Sequence, residues 1–120
     1  MKILVVDDEP LICEEFRDIL EEDGHEVETA KGGPEALQMS GKKDYDLVFL
    51  DVLMPRMEGR EVFEAMKKIS KAPVAIMSGY LPPNKEREIL ALGAVACFRK
   101  PLELDRVRSL VNSIQIQKSK

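Results

Sequence analysis

Apolar residues along the chain follow two different periods. Short β-branched or aliphatic runs occur at Ile3–Val6, Glu26–Ala30, Leu47–Leu50, Val74–Met77 and Val95–Phe98, and predict five strands. Between them the spacing turns helical. Ile12, Phe16, Ile19 and Leu20 fall at i, i+4, i+7 and i+8, with Glu14, Glu15, Arg17 and Asp18 on the other face. Val62, Phe63, Met66 and Ile69 repeat that stripe, as do Val107, Leu110, Val111 and Ile114. Weaker helices are predicted over Pro34–Ser40 and Pro83–Leu92. Pro10 and Pro34 suit first helical turns, and Gly24, Gly41 and Gly93 suit helix ends.

Strict alternation of the two kinds of segment predicts an α/β fold with a parallel sheet and helices on both faces. The second run, Glu26-Val27-Glu28-Thr29-Ala30, alternates polar and apolar residues and so belongs at an edge. Five strands with that edge fit the flavodoxin-like order 2-1-3-4-5, a (βα)5 three-layer sandwich. One domain is expected over 1–116, with residues 117–120 as a polar tail or linker stub and the chain fraying from Gln115.

Composition narrows the function. The chain has 120 residues, 44% of them hydrophobic, enough for one packed core and too apolar for disorder. Lys+Arg 18 against Asp+Glu 22 leaves a net charge of −4, which argues against direct nucleic-acid binding. The single histidine excludes multi-histidine metal sites and most triad chemistry. Cys13 and Cys97 lie far apart in apolar segments, so no disulfide framework is expected and a reducing cytoplasmic setting fits. No segment has the roughly 20 apolar residues of a membrane span, and the apolar stretch before Asp7 is too short for a signal peptide.

Ligands of open α/β sheets bind beyond the carboxyl ends of the strands, where the strand order reverses. Here that point lies between strands one and three. Strand one runs into Asp7-Asp8 and strand three into Asp51, while strand four runs into Ser78-Gly79 and strand five into Lys100-Pro101. Three carboxylates at one rim repel each other and favour a hard cation with oxygen ligands, Mg²⁺ first and Mn²⁺ as an alternative. With an ammonium and a hydroxyl beside them, the rim suits a phosphoryl group. The nucleophile would then be a carboxylate.

Four motifs in order carry a resemblance over essentially the whole chain: Ile3-Leu4-Val5-Val6-Asp7-Asp8-Glu9-Pro10, Asp51-Val52-Leu53-Met54-Pro55-Arg56-Met57-Glu58-Gly59, Met77-Ser78-Gly79 and Lys100-Pro101-Leu102. The sequence resembles the receiver domain of two-component response regulators, of the chemotaxis-regulator type. The resemblance implies that Asp51 accepts a phosphoryl group from the phosphohistidine of a sensor histidine kinase or phosphotransfer protein. It implies Mg²⁺ held by Asp8, Asp51 and the backbone carbonyl of Leu53, with Asp7 acting mainly through water. Ser78 would hydrogen-bond the phosphoryl group and Lys100 would pair with it, over a cis Lys100–Pro101 bond. The protein would be a switch rather than an enzyme, assisting only its own phosphorylation and dephosphorylation. Its output would pass to a separate target or to an effector domain outside this chain, as a monomer or a weak homodimer through the fourth helix, fifth strand and fifth helix. The same resemblance makes Leu11, off the apolar stripe of the first helix, a contact for the phosphodonor.

One departure bears on the switch. The family usually has an aromatic residue three positions before the lysine, where this chain has Cys97; Phe98 would face the other side of the strand. Switching is therefore expected to involve Ser78 and the 79–84 loop, with Tyr80 as the moving ring and Cys97 moving little volume. Leu53 and Tyr80 border the path of attacking water and imply slow self-dephosphorylation. Among rivals, a haloacid-dehalogenase-type phosphatase would need a second Asp where Leu53 stands. A flavin-binding module would need a phosphate cradle where Asp7-Asp8-Glu9 would repel phosphate. His25, after Gly24, reads as a surface loop residue, the cysteines as near-core hydrophobes, Met54 and Met57 as loop packing, and Lys85-Glu86-Arg87-Glu88 as a solvated helix face.

Overall fold

The computed structural model describes residues 1–52 and 59–118. Strands and helices alternate along it: β1 Lys2–Val6, α1 Pro10–Glu22, β2 Glu26–Ala30, α2 Gly33–Lys42, β3 Leu47–Asp51, α3 Gly59–Ile69, β4 Val74–Ser78, α4 Pro83–Ala91, β5 Ala96–Arg99 and α5 Leu104–Lys118. All strand pairs are parallel and the order is β2-β1-β3-β4-β5, as the sequence pattern predicts. The alternating strand β2 lies at an edge.

Side-chain alternation along the buried strands divides the interior into two layers. Leu4, Val6, Val48, Leu50, Val74 and Ile76 pack with Ala36 of α2, Val62, Phe63 and Met66 of α3 and Ile89 of α4. Ile3, Val5, Leu47, Phe49, Ala75 and Met77 pack with Phe16 and Leu20 of α1 and Val107, Val111 and Ile114 of α5. Phe49 anchors this second layer, its ring 4.8 Å from Phe16 and 6.2 Å from Phe98. Cys97 contacts the first layer and Phe98 the second, so the two do face opposite sides of β5.

Four expectations need correction. Gly41 does not end α2, which continues to Lys42 and closes where the Lys43 N–H donates to Met39 O at 3.0 Å. At the other two predicted glycine stops the residue is left-handed, Gly24 after α1 at φ 93° and Gly93 after α4 at φ 113°. The chain does not fray from Gln115: α5 continues to Lys118, whose ammonium pairs with Asp46 at the start of β3. Ile69, the last residue of α3, is half exposed rather than part of the buried stripe. His25 is not a surface loop residue but 6% exposed. Pairing of β2 with β1 brings the chain terminus onto its ring, and the Met1 amine donates to His25 Nδ1 at 2.9 Å. Among the described residues, no helix is long and apolar enough to cross a membrane. The expected packing of Met54 and Met57 lies outside the described residues.

Burial, and then the charge of the neighbouring terminal amine, lower the affinity of His25 for a proton; Asp23 opposes them weakly. The unfolded chain therefore takes up this proton first, and stability is lost as pH falls from about 6.5 toward the lowered folded value. Replacing His25 with Gln keeps an acceptor for the amine and removes the titration. Melting temperatures recorded between about pH 7 and 5 should fall less steeply for His25→Gln than for the parent; parallel curves would contradict this.

Candidate phosphoryl-acceptor site

Strand register assembles the rim. Val6 of β1 pairs with Leu50 of β3, so the next residues, Asp7 and Asp51, emerge side by side. Ser78 of β4 pairs with Arg99 of β5, and the following Lys100 N–H donates to Ser78 O at 2.9 Å. The Lys100–Pro101 bond is cis. Lys100 extends across the strand ends to the acids, with its Nζ 2.8 Å from Asp7 Oδ2, 2.9 Å from Asp51 Oδ2 and 3.1 Å from Glu9 Oε1.

These groups differ in solvent access. Asp7 is fully buried and Asp51 is 2% exposed. The Lys100 side chain is 12% exposed, whereas Glu9 is 59% exposed and caps the ammonium from outside. Lys100 makes aligned hydrogen bonds to Asp51 and Glu9. Its contact with Asp7 Oδ2 is a close ion pair of poorer hydrogen-bond alignment. Asp7 Oδ1 accepts the Glu9 N–H at 2.9 Å. Burial raises the pKa of Asp7; Lys100 and the Glu9 N–H oppose this, and the charge of Asp51 adds to it. Burial also disfavours the Lys100 ammonium, but Asp7, Asp51 and Glu9 outweigh it and hold Lys100 above the ordinary lysine range.

Carboxylate oxygens of Asp7, Asp8, Glu9 and Asp51 all lie within 4.8 Å of one another. Four carboxylates that can each offer one oxygen, with Asp7 Oδ2 buried and only poorly aligned to its one cation, match the needs of a hard divalent cation such as Mg²⁺. Asp8 is exposed beside them. The Leu53 carbonyl, expected as a further ligand, lies outside the described residues. Glu9 joins the cluster although the sequence pattern assigned it no role. The available signal was a third consecutive acid immediately before the Pro10 that starts α1.

At the β4 end, the Ser78 hydroxyl donates to Tyr80 O at 2.7 Å and accepts the Tyr80 N–H at 3.1 Å. The Tyr80 ring is 73% exposed. Cys97 sits away from the acids, and burial followed by the charge of Glu86 pushes its thiol up to about 11. Cys13 donates to Asp7 O at 3.5 Å, and burial followed by the Asp7 charge raises its pKa too. Leu11 is 72% exposed near the rim. The charged run on α4 is only partly solvated: Glu86 pairs with Arg99 and Glu88 with Arg60.

The family described as response regulator receiver domain matches residues 3–112. A transcriptional regulatory protein, the CpxR homolog of Haemophilus influenzae, is 39% identical over 100 residues, covering 83% of this chain and 44% of its own length. Sporulation initiation phosphotransferase F of Bacillus subtilis is 35% identical over 111 residues, covering 92% of this chain and 90% of its own. The chain thus spans less than half of one relative and nearly all of the other. Among solved structures, response regulator protein TrrA of Thermotoga maritima, in complex with Mg²⁺ and BeF, superposes with a TM-score of 0.82 at 34% identity, covering 94% of this chain and 97% of that one. With a family match along most of its length and response regulators as its relatives, the chain belongs to the response regulator receiver domains of two-component systems.

Proposed function

We propose that this chain is a phosphorylation switch whose acceptor is Asp51. The observation that carries the reading is the Lys100 ammonium set between two buried carboxylates, 2.8 Å from Asp7 and 2.9 Å from Asp51. A phosphoryl group bonded to Asp51 would find that cation already in place and desolvated. In the proposed step, an Asp51 carboxylate oxygen attacks the phosphorus of a phosphohistidine on a sensor kinase or phosphotransfer protein. The O–P bond forms as the P–N bond breaks, and the imidazole nitrogen keeps the electron pair. Asp8, Asp51 and the Leu53 carbonyl would hold Mg²⁺, with Asp7 acting through water; when bound, the ion neutralises phosphoryl oxygens. Lys100 supplies the second positive charge and Ser78 a hydrogen bond.

The output follows from what Ser78 gives up. Its hydroxyl has one proton, now donated to Tyr80 O. Donation to a phosphoryl oxygen breaks that bond and releases the 79–84 loop, with Tyr80 as the ring that moves. Cys97 is small and stays with the core on the α4 side. On this reading the protein catalyses nothing beyond its own phosphorylation and dephosphorylation. It acts in the cytoplasm, where its two free cysteines stay reduced. The signal passes to a protein target or a further domain through the α4–β5–α5 face, with the protein a monomer or a weak dimer.

Incubation with acetyl phosphate and Mg²⁺ should add one phosphoryl group, read by mass spectrometry and absent from Asp51→Ala. Parent protein that stays unmodified while remaining folded would overturn the reading. Mg²⁺ at 100 times its dissociation constant should stabilise the parent by about 2.7 kcal/mol. The increment should be smaller in Asp51→Asn, as measured by thermal unfolding; equal increments would place the ion elsewhere. Beryllofluoride should speed hydrogen exchange at the Tyr80 amide, now bonded to Ser78 Oγ at 3.1 Å. Unchanged protection would exclude the loop as the moving part.

A further inference from the structure

Glu9 occupies the N-cap of α1, with φ −92° and ψ 112°, immediately before Pro10. A side chain there ordinarily bonds the free N–H groups of the first helical turn. Glu9 makes no such bond. Its carbonyl does accept the first helical bonds, from Ile12 and Cys13 at 3.2 and 3.3 Å. Its carboxylate instead accepts a hydrogen bond from Lys100, 91 positions along the chain. The backbone secures this arrangement, because the Glu9 N–H donates to buried Asp7 at 2.9 Å. Local capping is therefore forgone for one tertiary contact, made to the cation that the phosphoryl group needs.

We infer that Glu9 is a positioning residue that anchors Lys100 in the resting site and competes with the phosphoryl group for its ammonium. The inference rests on the proposed phosphorylation of Asp51. Lys100 has three N–H donors and three carboxylates around it, so a newly arrived phosphoryl oxygen must displace one of them. Asp7 and Asp51 are buried and fixed by their strands. Glu9 is exposed, and its carboxylate is the one that water can take over as it leaves. The contact thus acts as a brake, shielding Lys100 until a phosphoryl group displaces it.

Two variants separate the contact from the charge. Glu9→Gln removes the charge, whereas Glu9→Asp keeps it on a side chain one methylene too short for the ammonium. In metal-free protein, both should let an amine-reactive reagent label Lys100 about two- to fivefold faster relative to the other lysines, the effect of one lost exposed charge contact. Peptide mass spectrometry reads this. At saturating Mg²⁺, both should be phosphorylated by acetyl phosphate about two- to fivefold faster than the parent. Mg²⁺ binding measured by calorimetry should weaken in Glu9→Gln and hold in Glu9→Asp. A faster rate in Glu9→Gln alone would show a charge effect and overturn the anchoring role. A change in melting temperature with labelling and rate unchanged would reduce Glu9 to helix capping and also overturn it. If Lys100 labelling responds but no form of the protein is phosphorylated, the phosphorylation reading fails and the Glu9–Lys100 anchor stands.

Discussion

The site depends on one ammonium group placed among acids that the fold has already buried. Asp7 and Asp51 emerge next to each other because β1 and β3 are paired in register, and neither can leave without disrupting the sheet. Two adjacent buried carboxylates carry a large desolvation cost and repel each other. Lys100 offsets both effects, and it reaches them only because β5 ends beside β4 at the same rim. Removing one partner of such a cluster leaves an uncompensated buried charge.

Strand order and site are thus one arrangement. Parallel pairing puts every strand's carboxyl end on the same side, so Asp7, Asp51, Ser78 and Lys100 share a rim although they are far apart in the chain. The two apolar layers hold that rim still. Phe49, its ring between those of Phe16 on α1 and Phe98 on β5, packs in one layer with Val107, Val111 and Ile114 of α5, while Ile76 and Leu50 pack in the other with residues of α2, α3 and α4. By contrast, α4 buries little beyond Ile89 and is tied by the surface pairs Glu86–Arg99 and Glu88–Arg60. Exposed pairs of this kind contribute little stability and are easily exchanged. A rigid acidic rim beside a loosely tied helix is the arrangement on which the proposed switch relies.

Much of this was legible in the residues alone. Hydrophobic period identified all five strands and five helices, because each buried face needs a repeat of two or about 3.6 residues. The positions of Asp7, Asp51, Ser78 and Lys100 at strand ends followed from that pattern and from the reversal in strand order. Helix and tail ends were read less well. Gly41 looked like a stop yet sits within α2, because no left-handed turn is needed there. Residues 115–118 looked like a loose tail, yet α5 continues through them, and Lys118 meets Asp46 across the fold.

Tertiary structure alone decided the partners. Nothing near His25 in sequence announces that the terminal amine will cover its ring, since that contact depends on β2 lying against β1. Glu9 reads locally as one more acid at a helix start, and its bond to Lys100 appears only when β5 is docked. Periodicity is a local property, set by how each segment must present an apolar face. Which charged groups meet is a long-range property, set by register and strand order together.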